Sequence, residues 1–253
     1  MRIAICFSGE PRFVEECYVM IKNNVIDVNQ DVDFFVHTWH SEETSEKSLY
    51  TKEISSFGES IIKREAVERI LDLYNPRTIL VEDPIFFRSN IDWGKSMEKY
   101  YAGYKNSNLT GKEFRDIKIS NMYSFLYSNM KSILLKKEFE LKNGFTYDTV
   151  VRFRFDNIVR NPIIFSNYNM DLLHYQEMGQ PDGMVSDWIN FSNSSNMDTF
   201  SSVYNNLENL AKICLSKYGA YSPESLIREI CDTFKIETQG HRFGIELPRH
   251  GKI

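Results

Sequence analysis

The apolar positions of this chain fall into short continuous runs and into two periodic spacings, and together they outline an alternation of strands and helices. Residues 3–7, IAICF, are uniformly apolar and close on Ser8-Gly9-Glu10-Pro11, the pattern of a buried strand ending in a turn. A helix is expected from about Phe13 to Asn23, then a second strand at VDFFVHTW, residues 32–39. The polar stretch with Glu42, Glu43, Ser45, Glu46 and Lys47 predicts a loop. Residues 59–74 carry Ile61, Ile62, Ala66, Ile70, Leu71 and Leu73 at helical spacing and stop before Asn75-Pro76. RTILVEDP, residues 77–84, predicts a third strand, and the polar, Tyr-rich stretch from Asn90 to Ile119 a loop or insertion. The clearest helix covers 120–142 and ends at Asn143-Gly144, a favoured C-terminal cap.

A fourth strand follows at TYDTVVRFRFDN, residues 146–157. Residues 162–182 look irregular, and 184–193 reads as a strand and loop. Helices are expected at 197–218 and 222–234, with one or two short strands near the C-terminus. Strands separated by helices imply right-handed crossovers and a mostly parallel sheet. No repeat, low-complexity tract or linker interrupts the chain, so the expectation is one α/β domain over residues 1–253, with helices flanking the sheet.

Composition narrows the partners. With 42% hydrophobic and 14% aromatic residues, 253 residues can bury one large core. Thirty basic against 35 acidic residues give a net charge of −5, which argues against a general nucleic-acid binder. No apolar run reaches membrane-span length, and the first residues lack a secretory cleavage pattern. A cytoplasmic protein with reduced, packed Cys6, Cys17, Cys214 and Cys231 is therefore expected.

In a parallel sheet, ligands bind at the carboxyl ends of the strands, and polar clusters fall at three such ends. Ser8, Gly9 and Arg12 follow strand one, where a glycine turn, a helix N-terminus and a guanidinium suit a phosphate. The run is neither GxGxxG nor a Walker loop. His37, Thr38, Trp39 and His40 end strand two; a Trp there either stacks on a base or sugar, or closes the core. Arg152, Arg154 and Asp156 end strand four. Asp156 suits a divalent cation bridging two phosphates, with arginines neutralising the same phosphates; a structural Arg–Asp ion pair is the other reading. Asp187, beside Trp188, is placed to act as a general base or to cap a turn. His250 in LPRHG is a second candidate metal ligand, or a solvated histidine.

The order SGEPR, DFFVHTW, NPRTILVEDP, YDTVVRFRFD and VSDW resembles the WavE lipopolysaccharide-synthesis family and related bacterial and large-virus sugar transferases. The resemblance covers roughly residues 1–230, and its most specific part is the helix–Gly–YD–VVRxRxD unit at 123–156. It implies a GT-A-like fold and a hexosyl- or deoxyhexosyl-transferase. The implied donor is a UDP- or GDP-linked sugar, and the implied acceptor is a hydroxyl of a glycan or lipid carrier, with peripheral membrane contact allowed. It further implies that Ser8, Gly9 and Arg12 surround the nucleotide and its phosphates, with His37 and Thr38 at the rim. Arg152 and Arg154 would face the donor, Asp156 would hold Mn2+ or Mg2+, Asp187 would be the base of an inverting transfer, and Glu224 would orient the acceptor or Asp187. The departure is Arg154, which stands where such enzymes usually carry the first carboxylate of Asp-x-Asp. A non-catalytic nucleotide-sugar or carbohydrate-binding module remains an alternative. A sugar nucleotidyltransferase ranks lower, because the first turn has one glycine and no following lysine.

Overall fold

The structure is a computed structural model that describes residues 1–43, 62–90, 111–179 and 183–248, with side chains from residue 116 onward in the helix that begins at 111. The expected loop around Ser45 to Lys47, most of the stretch after Asn90, and His250 lie outside the described residues.

Seven strands build the main sheet. They are β1 (Ile3–Gly9), β2 (Val32–Trp39), β3 (Thr78–Glu82), β4 (Thr149–Phe153), β6 (Leu173–Gln176), β7 (Asn190–Ser192) and β8 (Thr238–His241). Their order is β3-β2-β1-β4-β7-β6-β8. β1, β2, β3 and β4 pair in parallel, as do β6 and β8, while β7 runs antiparallel to both its neighbours. Two short strands, β5 (Ile158–Val159) and β9 (Ile245–Glu246), pair apart from it. The mostly parallel α/β sheet expected from the sequence is thus present.

The period-two alternation of the strands sorts residues onto two faces. Ile3, Ile5 and Phe7 of β1 join Val151 and Phe153 of β4 in a core under α1 (Val14–Ile21) and α2 (Ala66–Tyr74). Ala4, Cys6, Phe35 and Val150 face the other way, onto the long helix α4 (Gly111–Asn143). On that side α6 (Leu207–Tyr218) and α7 (Pro223–Phe234) complete the layer. All four cysteines are buried free thiols, as expected.

Four features differ from the sequence reading. The long helix starts at Gly111, inside the stretch read as a loop through Ile119, whose polar residues are compatible with a helix. Asp83 caps a short α3 (Pro84–Ser89), accepting from Ile85 N–H at 2.7 Å, so Asp83 and Pro84, read as the end of the third strand, open a helix instead. β6 forms within the segment read as irregular, because pairing with β7 and β8 supplies what its short sequence lacks. The helix expected over 197–218 is two, α5 (Ser194–Ser201) and α6, broken at Ser202–Asn206.

The long helix carries Ser124, Ser128, Ser132 and Lys136 at four-residue spacing, and all four are buried. Small serines let its backbone lie close to the sheet. Lys136 is completely buried, and its ammonium donates to Glu140 Oε2 at 3.0 Å, Ser194 Oγ at 2.6 Å and Asp198 Oδ1 at 2.8 Å, tying α4 to α5. Glu140 also accepts the Tyr147 N–H at 2.8 Å, which anchors the entry to β4. Removing the ammonium leaves the buried Glu140 carboxylate without its cation, while Asp198 keeps Lys137 at 3.0 Å, so Lys136→Ala is expected to cost about 3 kcal/mol in urea unfolding. A loss below about 1 kcal/mol would show that the pairing contributes little.

Candidate functional site

Because β1, β2, β3 and β4 are parallel, their C-terminal ends share one edge, and the antiparallel β7 brings its preceding loop to the same edge. That topology gathers Gly9, Trp39, Glu82, the Arg154–Asp156 turn and the Asp187 loop. The period-two register does the rest. Cys6 pairs with Arg152, so Arg152, Ser8 and His37 project on the long-helix face, while Phe153 and Phe155 project into the opposite core. The polar ends of otherwise apolar strands are thereby stacked beneath α4.

Arg152 is fully buried rather than open to a ligand. Its Nε donates to Asn129 Oδ1 at 2.8 Å and to Ser8 Oγ at 3.2 Å, its Nη1 donates to the Asp187 carbonyl, and its guanidinium lies 4.6 Å from the Phe125 ring centre. Burial pushes its pKa down to about 9, so it remains a cation at neutral pH. Arg152 is the floor of the site. It sets the Asp187 loop, which Asn157 and Asn190 also hold by donating to the Trp188 and Ser186 carbonyls at 3.0 and 2.9 Å.

A second relay braces the first turn. Gly9 has φ 108°, a conformation that favours glycine, and an added Cβ would meet nothing within 4 Å, so the constraint is the backbone. The Gly9 N–H donates to Ser128 Oγ at 2.7 Å, and the Gly9 carbonyl accepts from Thr38 Oγ1 at 2.9 Å. His37 is buried, and burial lowers its pKa, so it is a neutral imidazole. Its Nε2 lies 2.7 Å from the Glu82 carboxylate, which can only accept; Nδ1 therefore accepts from Ser128 at 2.8 Å. The hydrogen bond from His37 holds Glu82 below the usual carboxylate range. His37 and Thr38 thus support the turn from beneath. Trp39 is closed over by Phe87 and Tyr127, with ring centres 4.7 and 5.6 Å away, and belongs to the floor.

Above this floor lies an ion-pair cluster. Arg154 grips Asp156 with two parallel bonds, Nε to Oδ1 at 2.8 Å and Nη2 to Oδ2 at 2.9 Å. Arg12 reaches the same Oδ2 from Nη2 at 2.7 Å, and Glu10 sits 3.8 Å from Arg12 Nε. Burial alone would raise the Asp156 pKa, but Arg154 and Arg12 outweigh it and hold the carboxyl at about 2. The helix following this turn places Glu15 and Glu16 in its first turn, so the cationic character comes from side chains and not from the helix end.

These residues do not fit a divalent cation. Both Asp156 oxygens already accept from guanidinium groups, and a metal would have to displace two cations to reach them. Among the described residues, no group of three or more His, Cys, Asp or Glu gathers to hold a metal.

On the far side of the Asp187 loop, Glu224 stands in the first turn of α7, behind the Ser222 cap. Burial, then the negative charge of Asp187, raises the Glu224 pKa, so the two carboxylates are close enough to interact. At the opposite end, a cavity of about 550 Å³ opens beside β3, walled by Glu82, Phe86, Phe87, Tyr123, Tyr127 and Tyr204.

Ser8, Gly9, Arg12, His37, Thr38, Arg152, Arg154, Asp156, Asp187 and Glu224 therefore line or support one sheet edge. Sequence reasoning missed Ser128, Asn129 and Glu82. The serine spacing of α4 was the available signal for the first two. A residue at the end of β3 was the signal for the third.

No protein-family model matches the chain, and no curated protein matches it. Among solved structures the chain is similar to mouse xyloside xylosyltransferase 1 in its apo form, at 10% identity and a TM-score of 0.48, over 95% of this chain and 84% of that one. A likeness of that degree carries no argument about chemistry. No described helix is long and apolar enough to cross a membrane.

Asp156 should leave a mark on acid stability. Its folded pKa of about 2 lies below the unfolded value of 3.8, so its contribution is full above about pH 4 and is lost as pH falls toward 2. Asp156→Asn is expected to lose about 2 kcal/mol in urea unfolding at pH 7. The gap from wild type should narrow as the pH is lowered from about 4 to 2. A gap independent of pH would rule the ion pair out as its source.

Proposed function

We propose that this chain, taken as one GT-A-like domain over residues 1–253, is a glycosyltransferase. It moves a sugar from a nucleoside-diphosphate donor to a hydroxyl of a glycan or lipid-linked acceptor. The observation that carries this reading is the placement of the Arg12–Asp156–Arg154 cluster and the Asp187 loop on one sheet edge, with buried Arg152 holding that loop through the Asp187 carbonyl. The resemblance of VVRFRFD and its neighbouring motifs to sugar transferases supports it.

The roles follow from charge. A departing nucleoside diphosphate gains negative charge as the bond from its oxygen to the anomeric carbon breaks. Arg12 and Arg154, held by Asp156, stabilise that charge where it develops. The acceptor hydroxyl must lose its proton as its oxygen bonds the anomeric carbon. Asp187, fixed through its own carbonyl by Arg152, takes that proton. Base and leaving group on opposite sides of the sugar give inversion. Glu224, at the start of α7 beside Asp187, orients Asp187 or the acceptor. The aromatic cavity lies about 10 Å from the β1 turn, two strand spacings away, and suits the flat nucleoside.

Arg154 in place of a carboxylate favours one other reading, a module that binds the donor without turnover. Release of nucleoside diphosphate from UDP- and GDP-sugars by the purified chain separates the two. With the active donor, Asp187→Asn is expected to lower kcat by about 100-fold or more while donor KM stays within about threefold. Turnover within about threefold of wild type would remove Asp187 from the base role. Tyr127→Ala should raise donor KM about tenfold with kcat little changed, the signature of lost uniform binding.

A further inference from the structure

We infer that the donor's diphosphate is bound by the Arg12–Asp156–Arg154 cluster without a divalent cation, the two guanidinium groups standing where a metal ion would bridge the phosphates. This rests on the proposed glycosyltransferase reading and adds to it the means of charge neutralisation.

The argument begins with what each partner needs. A divalent cation needs oxygen lone pairs, and its usual protein ligands are carboxylates. The strand-four triplet offers one, Asp156, and both its oxygens accept from guanidinium groups at 2.7 to 2.9 Å. Bidentate Arg–carboxylate pairs are among the strongest and most directional contacts in proteins. Here the pair is also shielded, since the Asp156 side chain is 7% exposed. An approaching Mn2+ would meet Arg12, Arg154 and, beneath them, Arg152.

A diphosphate needs the opposite environment. It offers oxygens to donors, and the forked geometry of arginine matches it. Arg12 and Arg154 share the Asp156 carboxylate, and buried Arg152 places a third guanidinium beneath them. The Arg12 and Arg154 side chains retain 15% and 17% of their surface, so neither is sealed in the interior as Arg152 is. Asp156 then acts as a brace: it fixes the two cations against each other and lowers the cost of ordering them when the ligand arrives. Asn129 Nδ2, on the residue that accepts from Arg152, is buried without a partner and is again a donor rather than a metal ligand.

The test measures binding rather than turnover. UDP and GDP are titrated into the full chain by calorimetry, once in excess EDTA and once with Mn2+. The expected result is a dissociation constant for one nucleotide that agrees within about threefold between the two conditions and rises steeply with salt. Arg154→Lys keeps the charge but loses the fork, and it should weaken binding in EDTA by about tenfold. Binding that appears only with Mn2+, or that Arg154→Lys strengthens in Mn2+ by opening Asp156, would overturn the inference and leave the glycosyltransferase reading standing. Binding of neither nucleotide under either condition would overturn both. Arg12→Lys, read the same way, replaces Arg154→Lys if that variant fails to give a wild-type melting transition.

Discussion

A fully buried guanidinium near the centre of the sheet edge sets the terms for everything around it. Burying an arginine is costly unless its N–H groups are answered, and an unanswered one would unfold a domain of ordinary stability. Arg152 is answered by a helix (Asn129), by the neighbouring strand (Ser8) and by a loop (the Asp187 carbonyl), with the Phe125 ring against its face. Each of those partners is thereby fixed in place. The charge pins the long helix to β1 and β4, and it holds the loop that carries the candidate base.

The second relay works on the same principle with a neutral group. His37 is desolvated and uncharged, so it links Glu82 to Ser128 without adding a buried charge. Ser128 then receives the Gly9 N–H, and the turn that bears Arg12 is held from below. Two adjacent residues of one helix, Ser128 and Asn129, so organise both halves of the sheet edge. Substitution at either residue should therefore disturb the turn and the Asp187 loop together, a coupling that independent sites would not show.

Under the proposed function, the ion pair above this floor accounts for the missing first carboxylate of the usual triplet. Arg154 at that position changes the sign of the group that meets the ligand, and Asp156 serves as the internal counter-ion of Arg12 and Arg154.

Much of this architecture was legible in the chain. The apolar run of β1, the alternation of β2 and the RxRxD period fixed the first four strands, because hydrophobic periodicity is local and strong. It also placed Arg12, Arg154 and Asp156 at strand ends and Asp187 in a following loop, and the glycine and aspartate at those ends marked turns. What local pattern could not show was the partner of each polar group. VVRFRF reads the same whether Arg152 faces a ligand or a helix; only the packing of α4 against that face decided that it is buried and that Arg154 is the outward cation. The helix start at Gly111 and β6 were likewise not legible from local pattern, and the roles of Ser128, Asn129 and Glu82 come from contacts between residues 23 to 121 positions apart. Sequence determined which segments become strands and helices, since that depends on neighbours along the chain. Tertiary structure decided which charges are floor and which are site, since burial and pairing depend on neighbours in space.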